Sequence, residues 1–309
     1  MITNRAISQG VRCMSTIGFI GLGNMGRHMA ANLVSNGKDV VVFDVSSDAI
    51  SQLENKGAKG AGSPGEVAAQ SSVLVTMVPS SPHVQEVYEG GAGVLANMKS
   101  GTLCIDSSTI DPGVSKSIAS QVAAAGGLFY DAPVSGGVVA AENAALTFMV
   151  GGEEGKFAEV KSYLDMMGAN VIYCGANGNG LVVKLCNNMM LGASMVAAAE
   201  TLNLGIRMGM DSQLLSDILS KSTARCWSID TYNPVPGVLP GVPSSRDYEG
   251  GFGAALMLKD LGLAQGMADG SGTTTQMGSL AKKIYEELYE NQDLAGKDFG
   301  VIFKDLSSK

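Results

Sequence analysis

The segment Ile17-Gly-Phe-Ile-Gly-Leu-Gly-Asn-Met-Gly26 constrains this chain more than any other feature. It sets Gly21, Gly23 and Gly26 in a G-x-G-x-x-G spacing, directly after an apolar run and directly before a helical stretch. A strand that enters a helix through such a turn needs glycine for three separate steric reasons. Gly21 permits the tight turn, Gly23 lets the backbone approach a pyrophosphate, and Gly26 lets the helix pack closely on the strand. The exposed N–H groups and the positive end of the helix then face the phosphates. Gly21, Leu22, Gly23, Asn24, Met25 and Gly26 are therefore expected to line a dinucleotide. The next apolar run, Val40-Val-Val-Phe-Asp44, ends on Phe43 and Asp44. A carboxylate there accepts from a ribose 2′-hydroxyl and repels a 2′-phosphate, which favours NAD over NADP as cofactor.

From Thr16 onward, short apolar runs alternate with helical stretches. The runs Ile17–Ile20, Val40–Phe43, Val73–Val78, Leu103–Ile105, Leu128–Tyr130, Leu146–Val150 and Val171–Tyr173 are bounded by Gly, Pro, Asp or Ser. The early ones are almost continuously apolar, as strands buried on both faces of a parallel sheet are. Helical stretches such as Met25–Asn36, Ser47–Lys56 and Gly113–Ala125 separate most of them. This alternation predicts right-handed crossovers and an α/β fold, a Rossmann-type doubly wound, mostly parallel sheet. After Gly175-Ala-Asn-Gly-Asn-Gly180 the character changes. Leu181 to about Met208 has no proline and reads as one long helix, with more helical pattern at Ser212–Lys221, Ala254–Asp269 and Gly278–Tyr289 and a loop over Asn233–Gly253. The expected division is a dinucleotide-binding domain over 15–178 and an all-helical C-terminal domain over 179–309.

The net charge of −8 argues against a nucleic-acid partner, which needs a cationic face, but allows an anionic substrate in a locally positive site. Two histidines, His28 and His83, are too few for an imidazole-based metal site, so none is expected. Five cysteines without a CxxC read as free thiols in a reducing compartment. No apolar run reads as long enough to span a bilayer, and no membrane partner is expected. Residues 1–14 carry Arg5 and Arg12, and no acid precedes Asp39. They read either as a mitochondrial presequence remnant or as a frayed basic terminus.

In the long apolar helix the polar residues stand out. Lys184, Asn187 and Asn188 share one face at i, i+3 and i+4. A lysine inside such a helix is costly unless it is paired or opens on a cleft, and partial desolvation would bring its pKa toward the range of a general base. A lysine at a helix start that reaches out to solvent is the alternative, and spacing alone leaves both open.

Phe19-Ile-Gly-Leu-Gly-Asn-Met-Gly26, Asp131-Ala-Pro-Val-Ser-Gly-Gly137 and Gly180-Leu-Val-Val-Lys-Leu-Cys-Asn-Asn188 resemble the three signatures of the β-hydroxyacid dehydrogenase family, from about Thr16 to the C-terminus. Arg225-Cys-Trp-Ser-Ile-Asp-Thr-Tyr-Asn-Pro-Val-Pro-Gly237 resembles the 3-hydroxyisobutyrate dehydrogenase branch. The resemblance implies a role for each matching residue. Lys184 matches the catalytic lysine and Asn188 the asparagine that orients substrate. Ser135, Gly136 and Gly137 match the loop that holds the substrate carboxylate. Val78 and Pro79 at a strand end, His83 in the loop that follows, Thr109 at another strand end and Lys259 match further cofactor contacts, Lys259 at the nicotinamide end. Two departures stand out: Ala140-Ala-Glu-Asn-Ala-Ala145 replaces the usual Gly and Thr after the substrate loop, and position 83 is His.

The activity so implied is NAD-dependent oxidation of 3-hydroxyisobutyrate, a small carboxylate, to methylmalonate semialdehyde in valine catabolism. Lys184 would be the general base, and the site mitochondrial, in the matrix. A tartronate or succinate semialdehyde reductase shares the first three signatures but should lack the Trp227–Pro236 stretch. A non-catalytic dinucleotide-binding module need not keep both Lys184 and Asn188. Excess apolar length in the helical part suggests a homodimer or homotetramer.

Overall fold

The computed structural model describes residues 15–309, so the presequence reading of residues 1–14 lies outside the described residues. Strands β1 (Ile17–Ile20), β2 (Val40–Phe43), β3 (Lys59–Gly60), β4 (Val73–Thr76), β5 (Leu103–Asp106), β6 (Leu128–Asp131), β7 (Val134–Ser135), β8 (Leu146–Gly151) and β9 (Gly168–Gly175) form one sheet. Helices α1 (Gly26–Ser35), α2 (Ser47–Glu54), α3 (Pro64–Gln70), α4 (Ser81–Glu89), α5 (Pro112–Ala124), α6 (Gly137–Glu142) and α7 (Phe157–Leu164) lie between the strands. Beyond them run α8 (Asn179–Arg207), α9 (Ser212–Lys221), α10 (Trp227–Asp230), α11 (Ala254–Ser271), α12 (Gln276–Glu290), α13 (Gln292–Ala295) and α14 (Ile302–Ser308).

The strand order is β3-β2-β1-β4-β5-β6-β8-β7, with β9 paired to β8. From β3 to β6 every pairing is parallel. The order reverses between β1 and β4, which opens a crevice at their carboxyl ends where ligands bind in such sheets. The sheet then departs from pure parallel pairing: β6 and β7 run antiparallel to β8. This is a Rossmann-type domain followed by a helical C-terminal domain, the architecture expected from the alternation.

Local chemistry sets the helix starts. Ser63 accepts from Glu66 N–H with Pro64 at the first helical position, and Asp111 accepts from the N–H groups of Gly113 and Val114 ahead of α5. Both are N-cap arrangements that satisfy otherwise free donors. The sheet core is apolar: Ile17, Phe19, Val42, Val75 and Ile105 are buried together in one cluster. A second core, with Met195, Leu202, Met257, Tyr285 and Phe299, lies among the C-terminal helices. There Asp298 accepts from Tyr232 Oη–H and Phe252 N–H, both at 2.8 Å, and from Gly300 N–H at 2.9 Å, joining three segments distant in sequence.

One sequence expectation is corrected. Helix α8 is long and apolar enough, by length and composition, to cross a membrane. Here it is the central helix of the C-terminal part, with Leu185, Met195, Ala199 and Leu202 buried. The polar Lys184, Asn187, Asn188 and Glu200 interrupt its apolar surface, which is why the sequence expectation passed over its length.

A buried carboxyl sits at the end of β5. Asp106 Oδ1 accepts from Thr76 Oγ1–H at 2.6 Å and from Ser108 N–H at 3.2 Å. Burial pushes its pKa up from 3.8 to about 6, against these hydrogen bonds and with added repulsion from Asp131. The folded protein thus holds this proton more tightly than the unfolded chain does. Ionising Asp106 costs stability as pH rises from about 4 to about 6, and that cost is complete above the window. Asp106→Asn cannot ionise and keeps the Oδ1 acceptor. Denaturant unfolding across this range should show the variant losing less stability than the parent as pH rises; parallel curves would contradict the assignment.

Candidate active site

The turn from β1 into α1 is built as the glycine spacing requires. Gly21 has φ +95°, and a Cβ there would lie 2.2 Å from the Met77 carbonyl oxygen. On Gly26 it would lie 1.9 Å from the Gly21 carbonyl oxygen. Only glycine fits either position. Gly23 faces open space, with nothing within 4 Å of an added Cβ. Among the described residues no acceptor is bonded to the N–H groups of Gly23, Asn24 or Met25. These are donors at a helix N-terminus that the fold does not use, so a pyrophosphate fits here. Asp44 braces the same turn: Oδ2 accepts from Leu22 N–H at 2.6 Å and Oδ1 from Ser46 N–H at 2.8 Å. Phe43 and Asp44 are half-buried at its edge.

A second group forms where the helical part meets the sheet. Lys259 on α11 donates from Nζ to the carbonyl oxygens of Thr109 at 2.7 Å and Pro79 at 3.3 Å. Val78, Pro79 and Thr109 follow β4 and β5, and Ser108 Oγ accepts from Val78 N–H at 2.9 Å. The structure therefore brings Val78, Pro79, Thr109 and Lys259 together. His83 is corrected: it is in the first turn of α4 rather than in a loop, exposed, with Nδ1 2.7 Å from Ser80 Oγ. Ser80 precedes Ser81-Pro82, and proline is at home in a first helical turn, which starts the helix earlier than the loop reading allowed.

Lys184 and Asn188 lie in the packing between α8 and α11, 7% and 1% exposed. That burial decides against a lysine reaching out to solvent. Asn187 on the same face is exposed and donates to Asn188 Oδ1 at 3.0 Å. Asn188 in turn donates from Nδ2 to Asp260 Oδ2 at 2.5 Å. Asp260 is itself buried, and its Oδ1 lies 3.2 Å from Lys259 Nζ, an ionic contact rather than an aligned hydrogen bond. Burial lowers the Lys184 pKa from its ordinary 10.5; the Asp260 carboxylate opposes this and the Lys259 ammonium adds to it. Desolvation of this kind favours the neutral amine, the form that can accept a proton.

Asp260 had not been singled out from the sequence. The signal was present: the buried stripe of α11 is Ala254, Met257, Asp260, Leu261, Ala264 and Ala268, a helical spacing with one carboxylate in it. Ser135 closes β7, and Gly136 and Gly137 lead into α6 with φ +135° and +72°. Gly137 faces open space. Asn32 of α1 donates to the Ala141 carbonyl oxygen at 2.8 Å and so holds α6, which follows this loop, beside the cofactor helix. Among the described residues no hydrogen bond joins Ser135, Gly136 or Gly137 to Lys184 or Asn188.

A glycine-rich dinucleotide turn in a Rossmann-type sheet, followed by a helical part with a buried lysine, defines a nicotinamide-dependent dehydrogenase. Residues 16–175 match the family model described as the NAD binding domain of 6-phosphogluconate dehydrogenase. Residues 178–305 match that described as NAD-binding of NADP-dependent 3-hydroxyisobutyrate dehydrogenase. The chain is 51% identical to the mitochondrial 3-hydroxyisobutyrate dehydrogenase of Mus musculus over 97% of its own length and 89% of that protein. It is 48% identical to the probable mitochondrial enzyme of Dictyostelium discoideum, over 97% and 94%. A solved structure of Mycobacterium tuberculosis 3-hydroxyisobutyrate dehydrogenase with L-serine superposes with a TM-score of 0.90 at 40% identity, covering 95% of this chain and 99% of that one. The chain belongs to the 3-hydroxyisobutyrate dehydrogenase family, and its cofactor is NAD.

Asp44→Ala removes an acceptor from Leu22 N–H and the charge that would exclude a 2′-phosphate. Hydrogen bonds to charged groups contribute about 1.5–3 kcal/mol, so preference for NAD over NADP in kcat/KM should fall roughly 10–100-fold. Steady-state kinetics with both cofactors check this, and unchanged selectivity would remove Asp44 from the ribose site.

Proposed function

We propose that this chain oxidises 3-hydroxyisobutyrate to methylmalonate semialdehyde in valine catabolism, with Lys184 as general base. The observation that carries the reading is the lysine: buried, with a lowered pKa, and beside an asparagine fixed by a buried carboxylate. NAD, bound over the β1–α1 turn in the crevice between β1 and β4, would supply the hydride acceptor. Lys184 Nζ, deprotonated, would take the proton from the substrate hydroxyl oxygen as hydride leaves the carbon that bears that hydroxyl. Asn188, its amide held by Asp260, orients that hydroxyl. Ser135 Oγ and the N–H groups of Gly136 and Gly137 hold the carboxylate, with glycine letting backbone donors converge on an anion. Gly21 to Gly26, Phe43 and Asp44 hold the pyrophosphate and adenosine ribose. Val78, Pro79, His83, Thr109 and Lys259 line the rest of the cofactor site. In reverse, Lys184 is the proton donor.

The cofactor domain so used comprises residues 15–178 and the helical substrate and association domain residues 179–309. Met190, Leu204, Met208 and Met277 are 62–77% exposed on its helices, which supports a homodimer or homotetramer. Light scattering that finds only monomer would remove that assignment. The curated relatives named as mitochondrial support the same location here, in the matrix, and an import assay tests it.

Lys184→Met keeps most of the side-chain volume and deletes the base. General acid–base groups contribute about 10²–10⁴-fold, so turnover with 3-hydroxyisobutyrate should fall by that much while NAD still binds. The acid-side decline of kcat, produced in the parent by protonation of Lys184, should vanish in the residual activity. Asn188→Ala should cost less, and the double variant little more than Lys184→Met alone. Turnover near the parent rate in Lys184→Met would sink the mechanism.

A further inference from the structure

We propose that Asp131 is a positioning residue, registering the helix that carries Lys184 against the strand end that leads into the Ser135 loop. The inference rests on Lys184 being the base.

Asp131 ends β6 and is fully buried. Its Oδ1 accepts from Gly178 N–H at 2.6 Å and its Oδ2 from Leu181 N–H at 3.0 Å. Helix α8 has no side-chain cap of its own: the residue before it is Gly178, at φ +89°. The first-turn donors that every helix must satisfy therefore find their acceptor on another element, across the junction of the two domains. Leu181 precedes Lys184 by three residues and Asn188 by seven, so the clamp and both site residues lie along one face of α8.

The other half of the site leaves from the same residue. The main chain runs from Asp131 through Ala132 and Pro133 into β7 and Ser135. Ala132 N–H donates to the Asp106 carbonyl oxygen at 2.7 Å, and Met149 N–H to that of Pro133 at 3.0 Å, which fixes this path. One residue thus gives its backbone to the candidate carboxylate loop and its side chain to the candidate base helix.

The surroundings leave no slack. A Cβ on Gly151 would lie 2.6 Å from Asp131 Oδ1. On Gly180 it would lie 2.1 Å from the Met149 carbonyl oxygen and 2.8 Å from Asp131 Oδ2. Helix, strand and carboxylate are in such close approach that a shift at the clamp must move the first turns of α8. Burial pushes the Asp131 carboxyl up to about 6 while the N–H donors pull it back. An ordinary N-cap on an exposed helix carries no such desolvation cost.

Asp131→Asn keeps the volume and one acceptor but turns an amide N–H₂ toward a backbone N–H, so one of the two bonds is lost. Misplacement of reacting groups by about 1 Å costs on the order of 10²-fold in rate. The expected result is a fall of about that size in kcat with 3-hydroxyisobutyrate, and an NAD dissociation constant, read by fluorescence, equal to the parent's. The discriminating readout is the cycle with Lys184→Met: Asp131→Asn should cost almost nothing further in that background, because the group it positions is gone. A stability defect alone would cost the same factor in both backgrounds and would overturn the proposal, as would parent-like kcat in the single variant. Asp131→Ser leaves one small acceptor and gives the same readouts if the amide variant does not fold; if neither folds, Asp131 is a general structural residue and the proposal fails. Lys184→Met alone separates the two ideas. If it is active the base assignment fails; if it is inactive and Asp131→Asn is not, only the positioning role fails.

Discussion

Desolvation of Lys184 is the constraint on which the C-terminal half of this structure turns. An ammonium in an apolar helix interface costs several kcal/mol unless it is paired or gives up its proton. Here both responses are present in part: burial lowers the pKa, and Asp260 across the interface limits the fall. The balance requires α8 and α11 to pack closely and in one register. Gly192 of α8 supplies the closeness, since a Cβ there would sit 3.1 Å from the Met257 sulfur and 3.2 Å from Leu261 of α11. The same packing brings Asp260 to Asn188 and carries Lys259, one residue earlier, out to Thr109 and Pro79. Two neighbouring residues on one helix thus serve the interior of the helical part and its contact with the sheet.

Much of the sheet was legible because buried parallel strands are continuous apolar runs. Ile17–Ile20, Val40–Phe43 and Leu103–Ile105 had to be strands once the glycine turn fixed the first. The elements that were not legible lack that signal for identifiable reasons. β3 (Lys59–Gly60) and β7 (Val134–Ser135) are two residues long, too short for any period. α3 and α4 begin with a serine and a proline and carry few apolar residues, so they resemble loops until the first-turn role of Pro64 and Pro82 is considered. The antiparallel placement of β8 leaves no trace in its own residues, because Leu146–Gly151 is buried almost throughout, as a parallel strand would be.

The candidate site divides in the same way. Lys184 and Asn188 stood out as polar groups on an apolar helix, and Gly21, Gly23 and Gly26 by their spacing. Asp260 was hidden by its neighbour: next to Lys259 it reads as half of a surface charge pair, and only the buried stripe of α11 shows that it points inward. Asp44 was legible as a ribose acid, but not as the acceptor for Leu22 N–H, since a backbone partner 22 residues away has no sequence signature.

Asp106, Asp131 and Asp298 show why such residues recur in this fold. Each is buried, is pushed up to about 6, and accepts from groups on other segments. At strand carboxyl ends and between loops the backbone leaves regular pairing, and its donors must be met by something other than a neighbouring strand. A carboxylate offers two oxygens on a short stem, enough to hold two or three N–H or O–H groups at one point. Asp106 and Asp131 stand side by side in register on β5 and β6, so their ionisation is mutually opposed, yet both occupy the crevice edge where the cofactor loops and α8 converge. An apolar pair would avoid the desolvation cost but would leave Thr76, Ser108, Gly178 and Leu181 without their acceptors. Fixing those four groups fixes the loop after β5 and the start of α8, which are the parts of the scaffold that must not move relative to each other if a proton is to leave the substrate hydroxyl as a hydride leaves the carbon that bears it.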